Sequence, residues 1–279
     1  MKSFTHDTSQ AAHQRYVDNI RAMSPAERLA AACDLSRRAL AQALWVIRRQ
    51  RPEIDAQEAQ FILLGRLYGS AIAAQVRSWP LPTGEKSMQG TLYDAITPVI
   101  DVLEERDLAY YIGGSVASIT YGIPRATMDV DIAVQMTRRD VSLFVQRLTP
   151  YYYLDAESIR SAISNHSSFN LIPMHGAVKI DVFVPPLTLF TKSVFARVAY
   201  LPIAPDAPRP YCLPTAEDII LLKLHWYVLG NRVSNHQRTD VIGVLQTQAG
   251  QLDLRYLRQW ATILNLADVF ADVYADAGV

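Results

Sequence analysis

The segment YYIGGSVASITYGIPRATMDVDIAV (110–134) constrains this chain more than any other. An apolar run ends in Gly113-Gly114-Ser115, a short helical stretch follows, and an alternating strand then carries Asp129 and Asp131. Glycines at a strand-to-helix turn let a ligand approach the backbone closely. The free N–H groups that open a helix favour an anion such as phosphate, and Ser115 adds a hydroxyl donor. Residues two apart on a strand share a face, about 6–7 Å from one another. Asp129 and Asp131 therefore project together, while Val130, Ile132 and Val134 point to the opposite, buried side. Two carboxylates so placed repel each other. Their hard oxygens suit a divalent cation, Mg²⁺ or Mn²⁺.

A second strand repeats the pattern. In VKIDVFV (178–184), Val178, Ile180, Val182 and Val184 share one face, and Lys179, Asp181 and Phe183 share the other. Asp is disfavoured in mid-strand. Asp181 is thus either a solvent-facing residue of a half-exposed sheet or, beside Asp129 and Asp131, a third carboxylate of one site.

Around these strands the chain divides into an N-terminal helical region (1–79), a linker (80–90), a catalytic core (91–201) and a C-terminal helical subdomain (202–279). Ser24-Pro25-Ala26-Glu27 predicts a capped helix start, with apolar residues following at helical spacing until Pro52. Asp55 and Glu58 open a second helix carrying Phe61, Leu64, Leu67 and Ile72. The core alternates strands (108–112, 128–134, 168–172, 178–184) with helices. This predicts an α/β (α+β) fold, a mixed sheet flanked by helices. The segment 202–214 holds five of the fifteen prolines and reads as a rigid extended connection. Thr215 then caps a helix, and further helices start near Asn235, Asp253 and Asn265.

Charge narrows the range of partners. The chain has 27 Lys+Arg and 27 Asp+Glu, so it lacks the bulk positive field of non-specific nucleic-acid binders. Any RNA site must be a local patch. The two cysteines, Cys33 and Cys212, form no zinc motif and suit a reducing, cytoplasmic compartment. No stretch approaches the roughly 18 apolar residues of a membrane span.

The ordered set of a Gly-Ser turn, an Asp-x-Asp strand and a third Asp on a neighbouring strand resembles the nucleotidyltransferase superfamily, related to DNA polymerase β. The finer resemblance, over roughly residues 90–275, is to AbiEii/AbiGii-type toxin nucleotidyltransferases and their MenT-like relatives. It implies transfer of a nucleoside monophosphate from a nucleoside triphosphate (NTP) to an acceptor hydroxyl. It also implies metal binding by Asp129, Asp131 and Asp181, and phosphate binding by Gly113, Gly114, Ser115, Arg125 and Thr127. Lys223 in EDIILLKLHW and Asp240 in QRTDVIGVL look like the remaining site residues of that group. The implied acceptor is the 3′ end of transfer RNA, in a toxin–antitoxin context. A protein or small-molecule acceptor, or a regulatory module that keeps the fold without turnover, are the alternatives. The N-terminal helical region is either an antitoxin-like partner fused to the enzyme or a structural extension.

Overall fold

The computed structural model describes residues 9–78, 92–173, 178–204, 207 and 209–279. The expected linker at 80–90 lies outside them. A first helix, α1 (Gln10–Ala22), precedes α2 (Pro25–Gln50). The α2 start is the reciprocal cap that the sequence predicts. The Ser24 hydroxyl accepts the Glu27 N–H at 3.3 Å, and Glu27 Oε2 accepts the Ser24 N–H at 2.7 Å. The expected second helix is two, α3 (Ala56–Tyr68) and α4 (Ser70–Ser78). Gly69, at φ 93°, separates them in a conformation that a side chain would penalise. Ile72 therefore lies on α4, and Phe61, Leu64 and Leu67 lie on α3.

The next elements are α5 (Leu92–Glu105), β1 (Tyr110–Ile112), α6 (Gly114–Tyr121), β2 (Asp129–Val134), α7 (Val141–Leu148) and β3 (Tyr152–Tyr153). They are followed by α8 (Ala156–Asn165), β4 (Ser168–Pro173), β5 (Lys179–Phe183), α9 (Leu189–Ala196), β6 (Ala199–Leu201) and β7 (Tyr211–Leu213). The chain ends with α10 (Ala216–Leu229), α11 (Asn235–Thr247), α12 (Leu254–Ile263) and α13 (Ala267–Ala277). The expected strands all form. Helices α8 and α9 go beyond the sequence reading, although Asp155 and Thr188 cap them with side-chain bonds to Ser158 N and Thr191 N.

Five strands form one mixed sheet in the order β1-β2-β5-β4-β3, and β6 pairs with β7 in a separate ribbon. Strands β2 and β5 are parallel, with Asp131 opposite Asp181 in register. The other pairs in the large sheet are antiparallel. Val130, Ile132, Ile180 and Val182 bury one face of β2 and β5 completely, which fixes the register of everything on the other face. The segment 202–214 is more than a connection. Its residues 211–213 form β7, and Tyr211 and Leu213 are fully buried. Pro210 and Pro214 flank this strand without occupying it, so no ladder donor is lost.

The N-terminal helices share core with the rest. Leu29 and Ala32 of α2 belong to the same apolar cluster as the sheet, and Ile47, Ala59 and Leu63 make a smaller core between α2 and α3. No helix among the described residues is long and apolar enough to cross a membrane.

Candidate active site

The β1–α6 turn packs tightly against Asp131 of β2. The Gly113 N–H donates to the Asp131 carbonyl at 2.8 Å. Gly114, at φ +51°, lies so close that a Cβ built on it would fall 1.6 Å from Asp131 Oδ2. Only glycine fits there, on grounds of space as well as backbone conformation. Gly113 caps α6 without a side-chain bond, so no side chain satisfies the first N–H groups of the helix at that position. Desolvation pushes the Asp131 carboxyl up to about 6. The negative charges of Asp129 and Asp181 add to this, and Lys223 and Lys179 oppose it.

Behind Asp131 lies a buried ionic cluster centred on Asp240. Arg125 grips it with two bonds of 2.7 Å, from Nε to Oδ1 and from Nη2 to Oδ2. Lys223 Nζ donates to Oδ2 at 2.7 Å, and Ser118 Oγ donates to the same oxygen at 3.1 Å. The side chains of Lys223 and Asp240 are only 7% and 4% exposed. Burial alone would raise the Asp240 pKa, but the Arg125 hydrogen bonds and the Lys223 charge outweigh it and hold the group below the usual carboxylate range. Two cations and one anion leave the cluster a net positive charge beside Asp129 and Asp131. Arg125 Nη2 also donates to Ser115 Oγ at 2.8 Å, which joins the glycine turn to the cluster.

The other expected residues have different surroundings. The Thr127 hydroxyl is shared between Asp129 Oδ1 at 3.1 Å and the Asp129 carbonyl at 3.2 Å, so it orients that aspartate. Thr127 is itself held by Ser36 of α2. The Ser36 hydroxyl accepts the Thr127 N–H and donates to the Thr127 carbonyl, both at 2.9 Å. Tyr68 of α3 donates to the Met128 carbonyl at 2.8 Å. Asp181 forms an ion pair with Lys179 Nζ at 2.8 Å. Desolvation raises its pKa, Lys179 partly offsets this, and Asp129 adds to it. Among the described residues, no three His, Cys, Asp or Glu side chains are grouped as ready metal ligands.

A cavity of about 1250 Å³ opens above Asp129 and Asp131. Gly113, Gly114, Ser115, Arg125, Thr127 and Lys223 also line its floor, whereas Asp181 is not a lining residue. Its far wall comes from α9, α10 and α12, with Leu189, Phe190, Trp226, Trp260, Ile263 and Leu264.

Sequence reading missed Ser36, Tyr68 and Ser118, which reach the site from elements whose own patterns are helical. The partner of Asp181 had a visible signal, because Lys179 stands two positions away on the same face.

No family model matches the chain, and no curated protein matches it. Among solved structures, the solution structure of the antibiotic-resistance factor ANT(2″)-Ia is similar at 15% identity over 65% of this chain and 92% of that one, with a TM-score of 0.40. An antigenic nucleotidyltransferase-like protein from Paracoccidioides brasiliensis is similar at 14% identity over 64% and 90%, with a TM-score of 0.39. ANT(2″)-Ia in complex with adenylyl-2″-tobramycin is similar at 13% identity over 61% and 94%, with a TM-score of 0.40. At such scores, activity and substrate rest on the geometry of the site itself.

Proposed function

We propose that this chain is a metal-dependent nucleotidyltransferase that moves a nucleoside monophosphate from an NTP to an acceptor hydroxyl. The contact between Asp131 and Gly114 carries this reading. A carboxylate lying where a Cβ would be, at the start of α6, puts acidic oxygens and helix N–H groups in one place. The donor set fits a divalent cation, since burial and the neighbouring carboxylates leave Asp131 short of positive charge. Asp129 and Asp131 would hold Mg²⁺ or Mn²⁺, with Asp181 opposite Asp131 as a further carboxylate. The ion, when bound, neutralises triphosphate charge and polarises the α-phosphate.

The chain's own residues do the rest. The backbone N–H groups of Gly114 and Ser115, at the start of α6, bind the outer phosphates, while the Gly113 N–H stays on the Asp131 carbonyl. Arg125 and Lys223, fixed by Asp240, present the net positive charge of their cluster to the charge that develops there. Thr127 keeps Asp129 in orientation. The acceptor oxygen bonds to the α-phosphorus, the bond from that phosphorus to the bridging oxygen breaks, and pyrophosphate leaves. Asp181 takes the acceptor proton once Lys179 releases it and its carboxylate turns toward the cavity beside Asp131, and its raised pKa supports that role.

The sequence resemblance points to the 3′ end of transfer RNA and a toxin-like role for the acceptor chemistry. Among the described residues, Lys223 aside, no charged residue of α9, α10 or α12 lines the cavity, which favours a small-molecule acceptor instead. The bonds from Ser36 and Tyr68 to residues 127 and 128 support an orienting role for the N-terminal helices rather than an inhibitory one. The test incubates the full chain with Mg²⁺, each α-labelled triphosphate in turn, and transfer RNA or candidate small acceptors. Label should reach an acceptor with wild type and not with Asp131→Ala. A folded Asp131→Ala protein that still transfers label would end this reading.

A further inference from the structure

The cavity has two chemically distinct sides. Its ionised residues, Asp129, Asp131, Arg125 and Lys223, are all on the floor, and both cations are shared with Asp240. On α9, α10 and α12, Lys223 of α10 aside, no Lys, Arg, Asp or Glu lines the cavity among the described residues. The histidine on this wall, His225, is exposed at the cavity mouth, and partial desolvation lowers its pKa. The wall is instead built from packed rings, with Phe190 and Trp260 centroids 5.1 Å apart and Phe183 and Trp226 centroids 5.7 Å apart. Its rim leaves large apolar groups open to solvent: Leu189 is 79% exposed, Ile263 54% and Trp226 49%. Exposed apolar side chains gathered at the mouth of one cavity mark a binding surface.

Size and charge together identify an occupant. Ligand cavities commonly measure about 300–1,000 Å³, so this one has room for a triphosphate and a second molecule. A polycationic acceptor needs carboxylates on the wall, and a phosphate backbone needs unpaired cations there. The wall offers neither, because Lys223 of α10 is already paired with Asp240. We infer that the wall formed by α9, α10 and α12 is an acceptor subsite for an uncharged, hydroxyl-bearing small molecule with an apolar body. The hydroxyl would lie toward Asp131 and the body against Trp226, Trp260 and Ile263. This rests on the reading that the floor takes the metal–triphosphate complex.

The test uses the full chain with Mg²⁺ and α,β-methylene-ATP, and 2-(2-naphthyl)ethanol as a neutral, fluorescent, hydroxyl-bearing probe. Tobramycin serves as the polycation and total transfer RNA as the polyanion. Wild type should bind the naphthyl alcohol together with the nucleotide. Ile263→Asp and Ile263→Lys should each weaken the alcohol about tenfold, with unchanged melting temperatures showing that the fold is intact. The signs then discriminate. Tobramycin binding strengthened by Ile263→Asp, or transfer-RNA binding strengthened by Ile263→Lys, with the alcohol unaffected by either, would overturn the inference. Mutually exclusive binding of nucleotide and alcohol would also overturn it, because the wall would then be the nucleobase pocket. Alcohol binding that survives while no nucleotide binds would leave the wall standing and remove the reading of the floor.

Discussion

Strands β2 and β5 are neighbours, run parallel and follow nearly the same pattern, Asp-Val-Asp-Ile-Ala against Lys-Ile-Asp-Val-Phe. Each buries its β-branched residues on one face and presents an aspartate on the other, with Asp131 and Asp181 in register. Their chemistry differs because of the residue two positions earlier. On β5 it is Lys179, which forms an ion pair with Asp181 at 2.8 Å. On β2 it is Asp129, which adds a like charge and helps to push Asp131 up to about 6. One strand carries its own counter-ion and the other leaves charge to be balanced by a ligand. A pattern of alternation sets which face a carboxylate occupies, and the same-face neighbour sets whether it is available.

The sharpest way to break this contrast is Asp131→Asn. Transfer should fall by three orders of magnitude or more, measured as kcat, because a neutral amide supplies neither charge nor strong metal ligation. Stability should move the other way. The folded chain holds the Asp131 proton more tightly than the unfolded chain, from an ordinary 3.8 to about 6. This group's favourable contribution is therefore complete below the ordinary carboxylate pKa and is lost as pH rises through about 6. The loss is about 3 kcal/mol. In metal-free buffer at pH 8, the Asn variant should resist urea better than wild type, and the two should converge near pH 4. An Asn variant no more stable than wild type at pH 8 would mean that the β2 carboxylates are already balanced.

Lys179→Met tests the contrast from the other strand. It leaves Asp181 partly buried without its cation and should cost about 1–3 kcal/mol at neutral pH. The cost should shrink as acid protonates Asp181. Chemical denaturation at pH 7 and pH 4 would reveal the difference, and an equal cost at both values would remove the counter-ion role.

The smallest effect expected is that of Ser36→Ala. Its hydroxyl bonds both backbone groups of Thr127, and their loss should cost about 1–2 kcal/mol in stability. Through Thr127 it should also loosen Asp129, lowering apparent Mg²⁺ affinity while leaving the Asp181–Lys179 pair intact. A Ser36→Ala protein with unchanged Mn²⁺ binding by paramagnetic resonance would confine Ser36 to a structural role.

Much of this molecule is legible locally. The Ser24 cap, the Gly114 turn and the alternation of β2 and β5 are read from neighbours within a few residues, and each takes the form that the spacing predicts. The break at Gly69 and the strand at 211–213 were harder to read. A lone glycine inside an apolar helical run and three residues between prolines both give weak local signals.

The sequence by itself determined which side chains face the ligand side of the sheet, because strand periodicity and glycine geometry are local properties of the backbone. Only the tertiary structure decided how those side chains are charged and held. Asp240 meets Arg125 from 115 residues away, and Ser36 meets Thr127 from 91 residues away. Such pairings depend on which buried surfaces pack together. Burial and charge pairing, which set the state of each carboxylate, arise only once distant elements exclude water between them.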